Sequence, residues 1–289
     1  MLAPRVLCPL VLGDPAERTV LEYAIELAAH LNSSVQALHV YDLGNEPGWS
    51  AAPGYVRGAE QSARHVLDEH LRGLGADSTM VSSRFLEGAA HARVLEEAAR
   101  LDVDFIVMGT RGRRGVGRLV FGSVAARVLG ATRCPVITVP FAKLPAVTIS
   151  SILVAHDLSS IASNRALELA RRVQLAAGSP PVRVLHVLPV AEPVADHEQH
   201  RWDATRQLER EIDRCFGPEW RDLVTLRVVE GDPLDQILGA QRQGGADLLA
   251  IGTSSKPPVV RLALGSVAVG LLSRCQVPVL VAPRLSSAP

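Results

Sequence analysis

The sequence predicts an α/β protein of two tandem domains, each built around a five-stranded parallel sheet. The first observation behind this prediction is an internal repeat at an offset of 143 residues: Asp104–Gly109 recurs as Asp247–Gly252, and Gly122–Ala125 recurs as Gly265–Ala268. The second is the alternation of strand-length apolar runs with helical patterns, which favours right-handed crossovers and a parallel sheet. A repeat this long indicates two domains and not a solenoid.

The same elements follow one another in both halves. Runs such as 104–108 lack polar alternation, as expected for strands buried on both faces. Domains are therefore predicted at residues 1–140 and 151–289, joined by a linker at 141–150. The predicted strands lie near 5–11, 35–41, 80–85, 103–108, 135–139, 151–156, 182–188, 223–229, 247–251 and 277–281, and the helices of the first half near 16–31, 59–74, 90–101 and 123–131.

Composition narrows the class of protein. The 289 residues include 30 basic and 30 acidic side chains, and this zero net charge argues against nucleic-acid binding as the main function. No uncharged apolar run reaches the roughly 18 residues that span a bilayer, so no membrane partner is expected. The four cysteines are far apart with no C-x-x-C pair, which favours free thiols and a cytoplasmic location.

A glycine-rich segment after the fourth strand is the main candidate for chemistry. Gly109 closes that strand, and the arginine-containing segment 110–121 leads to a helix that we expect Ser123 to N-cap. Glycines let a backbone approach a phosphate, and free N–H groups at a helix amino end suit an anion. Composition alone leaves a phosphate site and a solvated arginine loop equally open. The segment is not a P-loop, because Lys-Ser/Thr does not follow Gly117.

Gly109, Gly112, Gly122 and Ser123 fit the spacing G-x2-G-x9-G-S, which resembles the ATP-binding signature of the universal stress protein family. Further blocks resemble that family in both halves, so the chain looks like a tandem universal stress protein. The resembling blocks are Leu38–Val40, Glu87–Gly88, Cys134–Val139, Ile152–Asp157, Leu185–Val187, Gly252–Ser255, Gly265–Ser266 and Val277–Val281.

The resemblance implies a Rossmann-like sheet in strand order 3-2-1-4-5, with the ligand at the switch point between strands 1 and 4. It implies ATP as the ligand, with Mg²⁺ as its companion. In the family, the aspartate after strand 1 and the residue that ends strand 2 contact the adenosine, and the glycine loop contacts the phosphates. The implied nucleotide-binding residues are Val40, Gly109, Arg111, Gly112, Gly122, Ser123 and Val124 in the first half, and Asp157, Val187, Gly252, Gly265 and Ser266 in the second.

Each half departs from the family pattern in a different place. Val11 stands in the first half where the second half has Asp157. In the second half Ser255 replaces the second glycine, and Pro257 and Pro258 each remove a backbone N–H from the loop. We therefore expect at most one strong ATP site, in the first half.

Three functions stay open from the sequence: an ATP-binding stress-response protein with little or no turnover, an interaction scaffold that binds no nucleotide, and a weak ATP hydrolase. No catalytic residue is assigned. The clusters at 196–200 and at His65 and Glu69 are interpreted as solvated helix faces, so no metal site is expected. The two halves are expected to pair through their apolar fifth strands about a pseudo-two-fold axis, and a homodimer stays open.

Overall fold

The computed structural model describes residues 4–12, 17–41, 53–74, 80–110, 122–140, 148–158, 161–189, 197–253 and 264–283. The chain divides into two compact units, Met1–Val147 and Thr148–Pro289.

The first unit is a parallel sheet in the order β3-β2-β1-β4-β5, which is the strand order 3-2-1-4-5 that the family resemblance implies. Its central strands are buried on both faces, and Phe105, Ile106 and Val107 have no exposed surface. Its elements are β1 Pro4–Leu10, α1 Glu17–His30, β2 Ser34–Tyr41, α2 Pro53–Leu74, β3 Val81–Glu87, α3 Ala90–Leu101, β4 Phe105–Gly109, α4 Ser123–Ala131 and β5 Val136–Val139.

The second unit repeats this order, with β8-β7-β6-β9-β10 in place of β3-β2-β1-β4-β5 and all pairings parallel. The prediction of two α/β domains with doubly wound sheets is therefore confirmed. Its elements are β6 Ile152–Ala155, α5 Ile161–Ala176, β7 Val182–Leu188, α6 His197–Phe216, a 3₁₀ turn Trp220–Asp222, β8 Val224–Glu230, α7 Pro233–Gly244, β9 Leu248–Gly252, α8 Ser266–Arg274 and β10 Val279–Ala282.

One helix is longer than the sequence predicts. Helix α2 begins at Pro53, six residues before the predicted start near residue 59. Proline is tolerated in the first turn of a helix, because the N–H that it lacks would have no partner within the helix. The Pro-Gly pair at 53–54 therefore begins the helix.

The third helix of each unit ends in the same way. Asp102 after α3 and Gly245 after α7 both adopt the left-handed conformation, with φ of 49° and 61°. The glycine that precedes each helix, Gly88 or Gly231, also has a positive φ, of 128° or 142°. The repeated Glu-Gly step therefore marks a backbone turn that favours glycine.

All four cysteines are free thiols. Burial raises the pKa of Cys8, Cys215 and Cys275, so these thiols are poor nucleophiles. The Cys134 thiol donates to the carbonyl of Val103 at 3.3 Å. Within the described ranges, no helix combines the length and the apolar character needed to cross a bilayer.

Candidate functional site

The carboxyl edge of the second sheet opens into a crevice of about 450 Å³. It lies where β6 and β9 are neighbours, the switch point of a doubly wound sheet, at which such folds bind ligands. Its floor is apolar and comes from the strands, and helices α7 and α8 form an apolar wall. The exposed Asp157 and Ser266 stand at the rim, and two further polar side chains, His156 and Ser163, are buried. The floor includes Ala155, Leu185, Val187 and Ile251, and the wall includes Pro233, Ile237, Val267, Ala268 and Leu271.

All five residues predicted for the second half line this one crevice: Asp157, Val187, Gly252, Gly265 and Ser266. They reach it from four elements, because the carboxyl ends of parallel strands and the amino ends of the following helices meet at the same edge. Residues that are far apart in the sequence therefore line one crevice, whose volume is typical of a small-molecule site.

The loop after β6 is held by side-chain hydrogen bonds. The Leu158 N–H donates to His156 Nδ1 at 3.1 Å, and Gln207 Nε2 donates to the Leu158 carbonyl at 3.1 Å. The Asp157 N–H donates to Ser163 Oγ at 3.4 Å. These bonds hold Leu158 at a φ of 61°, a backbone conformation that residues other than glycine rarely adopt. They thereby fix the backbone that presents the exposed Asp157 carboxylate at the rim.

His156 acts in this loop as a neutral imidazole. Its Nδ1 accepts from Leu158, so its proton is on Nε2, which donates to Asn164 Oδ1 at 2.8 Å. Burial lowers the pKa of His156, although the Asn164 bond and the nearby Asp157 oppose that shift. Only 3% of the residue is exposed. Both ring nitrogens are engaged, so His156 is a positioning residue and offers no free base to a ligand.

In each unit, a histidine on the second strand is hydrogen-bonded to a backbone carbonyl at the end of the first strand. His186 Nδ1 donates to the His156 carbonyl at 2.7 Å, and His39 Nδ1 donates to the Leu10 carbonyl at 3.0 Å. The carbonyl groups can only accept, so Nδ1 carries the proton in both residues. His39 and His186 therefore have a structural role, because each joins two neighbouring strands.

Gly252 has a packing role at the edge of the crevice. A Cβ atom at this position would lie 2.5 Å from Ala162 C and 2.5 Å from Ser163 N, in the first turn of α5. The glycine therefore allows helix and strand to approach closely, whatever it contributes to a ligand.

The prediction that Ser123 N-caps helix α4 is wrong. Gly122 is the N-cap, and its carbonyl accepts from the Ala126 N–H at 2.9 Å. Ser123 is the first helical residue, because the Gly122 N–H is bonded to the Thr110 carbonyl at 2.8 Å and places the turn one residue earlier. In the second unit, Gly265 caps α8 in the same way. Neither cap uses a side chain, so the first-turn N–H groups are left to other acceptors.

The first unit places its predicted residues at the equivalent edge. Val40 lies near the end of β2, Gly109 ends β4, and Gly122 and Ser123 begin α4 with the exposed Val124. Val11 is 39% exposed just beyond β1, where the second unit carries its aspartate. Arg111 and Gly112, like Ser255, Pro257 and Pro258, lie outside the described residues.

The alternative metal clusters do not assemble in the described part of the chain. No group of three or more His, Cys, Asp or Glu side chains there is placed to hold a metal ion. His65 and Glu69 lie 3.3 Å apart along α2, both more than half exposed, as a helix-surface pair. His197 approaches Glu230 at 3.6 Å, with both side chains nearly half exposed.

Sequence reasoning missed several residues of the crevice. Ser163 lies in the first turn of α5, six residues after Asp157, and Pro189 follows β7 directly. Pro233 and Ile237 come from α7. The repeated Glu-Gly step before that helix was the available signal, since it brings the first turn of α7 to the carboxyl edge of the sheet.

A doubly wound sheet with an apolar crevice at its switch point, beside a helix amino end that no side chain caps, is an arrangement in which α/β proteins commonly bind ligands. A family model described as the universal stress protein family matches residues 4–140 and 148–283. The chain therefore belongs to the universal stress protein family, with two such domains in tandem.

Individual relatives agree with this membership. A universal stress protein of Mycobacterium tuberculosis is 27% identical over 251 residues, covering 80% of this chain and 79% of its own. A universal stress protein of Methanocaldococcus jannaschii is 29% identical over 133 residues, covering 44% of this chain and 76% of its own. The crystal structure of a universal stress protein from Archaeoglobus fulgidus matches the fold with a TM-score of 0.74 at 23% identity, over 97% of this chain and 98% of that one.

Proposed function

We propose that this protein binds an adenine nucleotide, ATP, and acts in cytoplasmic stress-response signalling with little or no turnover. The observation that carries the proposal is the crevice of the second unit, which joins Asp157, Val187, Gly252, Gly265 and Ser266 in one cavity of about 450 Å³. A cavity of this size with apolar walls and few polar groups is typical of a small-molecule site.

The chemistry of the crevice suits the parts of a nucleotide. The apolar floor and wall, including Val187 and Ile237, would bury the adenine ring. The Asp157 carboxylate accepts hydrogen bonds only, so it suits ribose hydroxyls or the adenine amino group. The amino end of α8 at Ser266 suits phosphate oxygens, because its N–H groups and dipole favour an anion. Mg²⁺ would enter with the phosphates, because protein-bound Mg²⁺ is commonly held by substrate phosphates, several waters and one or two carboxylates.

In the second unit, slow turnover is supported by the bonds of the buried histidine that lines the crevice. His156 is neutral and uses both ring nitrogens in bonds to Leu158 and Asn164. It therefore cannot take a proton from an attacking water without breaking the loop that presents Asp157. For the second crevice, this favours nucleotide binding over the ATP hydrolase alternative.

The two units differ in what they offer to the ligand. The first lacks the carboxylate at Val11 but keeps the glycines and arginines of the segment after β4. A charge-assisted hydrogen bond is worth about 1.5–3 kcal/mol, or roughly ten- to a hundredfold in affinity. We expect the phosphate loop to outweigh that loss, so that the first unit holds the one strong ATP site.

The first test is to denature freshly purified full-length protein and identify any released nucleotide by mass spectrometry. Calorimetric titration of stripped protein with ATP then gives affinity and stoichiometry, with Asp157→Ala as the variant of the second crevice. The proposal expects adenine nucleotide to bind, with Asp157→Ala affecting only a weaker site. Absence of ATP binding at millimolar concentration would favour the scaffold alternative. Loss of all binding in Asp157→Ala would move the strong site to the second unit.

A further inference from the structure

The two units differ in what balances the arginines near their third helix. In the first unit a buried carboxylate, Glu97, lies beside them. Glu97 on α3 is 2% exposed. Arg100 donates to it twice, from Nη2 to Oε1 at 2.7 Å and from Nε to Oε2 at 2.9 Å. Arg84 Nη1 on β3 lies 3.5 Å from the same Oε1. The Arg100 bonds lower the pKa of Glu97, so the group is an internal anion for two arginines.

The second unit keeps an arginine at this place and loses the carboxylate. The offset of 143 residues takes Arg84 to Arg227 and Glu97 to Ala240. The strand register agrees, since Arg84 pairs with Leu38 and Arg227 with Leu185. These two leucines are equivalent because the second strands, β2 and β7, repeat at an offset of 147 residues. The cation is retained on β8 while the acid on the covering helix is replaced by a methyl group.

A second cation is added on the neighbouring strand. Arg183 on β7 takes the place of Gln36, and its Nη2 is buried with no hydrogen-bond partner among the described residues. Gly244 makes room for it, because any Cβ there would overlap the Arg183 guanidinium. Burial lowers the pKa of Arg183, and the positive charge of Arg227 lowers it further. The half-buried Arg183 and the exposed Arg227 thus line one cavity, whereas Arg84 in the first unit lies beside the Glu97 carboxylate.

A cavity of about 330 Å³ lies between these arginines and α7. The amide side chains of Gln236 and Gln243 line it, and Ala240 provides its small wall. The described residues around the cavity include no carboxylate. Helix α7 separates it from the crevice, since Pro233 and Ile237 line the crevice instead.

We propose that the second unit binds a small oxyanion, a phosphate or a carboxylate, in this cavity, with Arg183 and Arg227 as its cationic ligands. The anion would take the role that the Glu97 carboxylate has in the first unit. Guanidinium groups match both oxyanions with paired N–H donors, and a partly desolvated setting strengthens such bonds. The glutamine amides would satisfy the remaining oxygens.

The experiment measures thermal unfolding of the full-length protein in sodium phosphate, sodium acetate and sodium chloride at matched ionic strength. Either oxyanion at ten times its dissociation constant should raise the folding equilibrium constant about elevenfold over chloride. Arg183→Gln, which installs the first unit's residue, should lose that response. Ala240→Glu should also lose it, and should melt higher than wild type in chloride because it restores the internal acid.

Arg242→Gln is the matched control, because it removes the same charge from an exposed position on α7 outside the cavity. It should respond like wild type. An undiminished response in Ala240→Glu or Arg183→Gln, or no response in wild type, overturns the proposal. Because Ala240→Glu is expected to melt higher than wild type in chloride, a lost response in this variant reports loss of the anion site and not misfolding. A response that vanishes in Asp157→Ala would assign the anion to the crevice and also overturn it. A response to only one oxyanion identifies which of the two the site prefers.

Discussion

Gly252→Ala tests whether the glycine that ends β9 serves packing. The added Cβ would lie 2.5 Å from two backbone atoms of α5 and 2.8 Å from the Ala162 carbonyl oxygen. Ordinary contacts begin near 3.4 Å, so the first turn of α5 must move by about 1 Å. The φ of Gly252 lies outside the left-handed region, so overlap alone causes the effect.

Overpacking costs about 1–3 kcal/mol, and the upper end applies here because backbone cannot rotate away as a side chain can. For a domain of this size, roughly 2–4 °C per kcal/mol converts 3 kcal/mol into a fall in Tm of about 6–12 °C. Differential scanning calorimetry of the full-length protein measures it. Ser163 should move with the helix, so nucleotide binding in the second crevice should weaken as well.

Gly265→Ser is the matched control at the same crevice. Gly265 has a φ of −58° and ψ of 152°, which any residue adopts, and serine is a favoured N-cap. Its stability should stay within about 0.5 kcal/mol of wild type. If Gly252→Ala melts like Gly265→Ser, the close approach of β9 and α5 is wrong and the packing role of the glycine fails.

Four further outcomes follow from the site and from the buried acid. Gly122→Val should abolish ATP binding in calorimetry while Gly265→Val leaves most of it, and the reverse result would place the strong site in the second unit. Val11→Asp should tighten ATP about ten- to a hundredfold, as one charge-assisted hydrogen bond would; unchanged affinity would contradict the assigned position. Adenosine should bind far more weakly than ATP, and ATP affinity should fall between 0.1 and 1 M salt as the Debye length shrinks from about 10 to about 3 Å; equal affinities refute phosphate recognition. Glu97 has a lowered pKa in the folded state, so its stabilisation is present above its ordinary value of 4.5 and is lost as pH falls through the folded value; Glu97→Gln should lower Tm at pH 7 and flatten the acid limb of the Tm-against-pH curve, and an unchanged limb would count against it.

The repeat is what made the fold predictable. Each strand pattern occurs twice in the sequence, which strengthens its assignment. Strands β4 and β9, for example, are predicted from equivalent apolar runs that end in Gly109 and Gly252. Strand order came from the family resemblance, and the observed order agrees with it. The ends of helices are harder to predict from sequence. Serine prefers the N-cap position, but the start of α4 depends on the hydrogen bond from the Gly122 N–H to the Thr110 carbonyl, which the sequence does not reveal.

Contacts that depend on register could not be predicted. The charge change from Glu97 to Ala240 is visible in the sequence. Its meaning depends on Arg183 and Arg227 facing one cavity, which requires the pairing of β7 with β8 and the position of α7 above them. The His156–Asn164 bond likewise needs the turn between β6 and α5, which brings together groups eight residues apart.

The hydrogen bond from the Gly122 N–H to the Thr110 carbonyl has an evolutionary consequence. It fastens the two ends of the intervening segment to each other, and Thr110 is itself bonded to β5 through Val139. The sheet and helix α4 therefore do not depend on what lies between these two anchors. A segment joined in this way can vary in length and sequence while the fold is retained, as loops generally can on a rigid scaffold. After duplication, the first unit could therefore change the sequence of this segment while its sheet and helix α4 were retained.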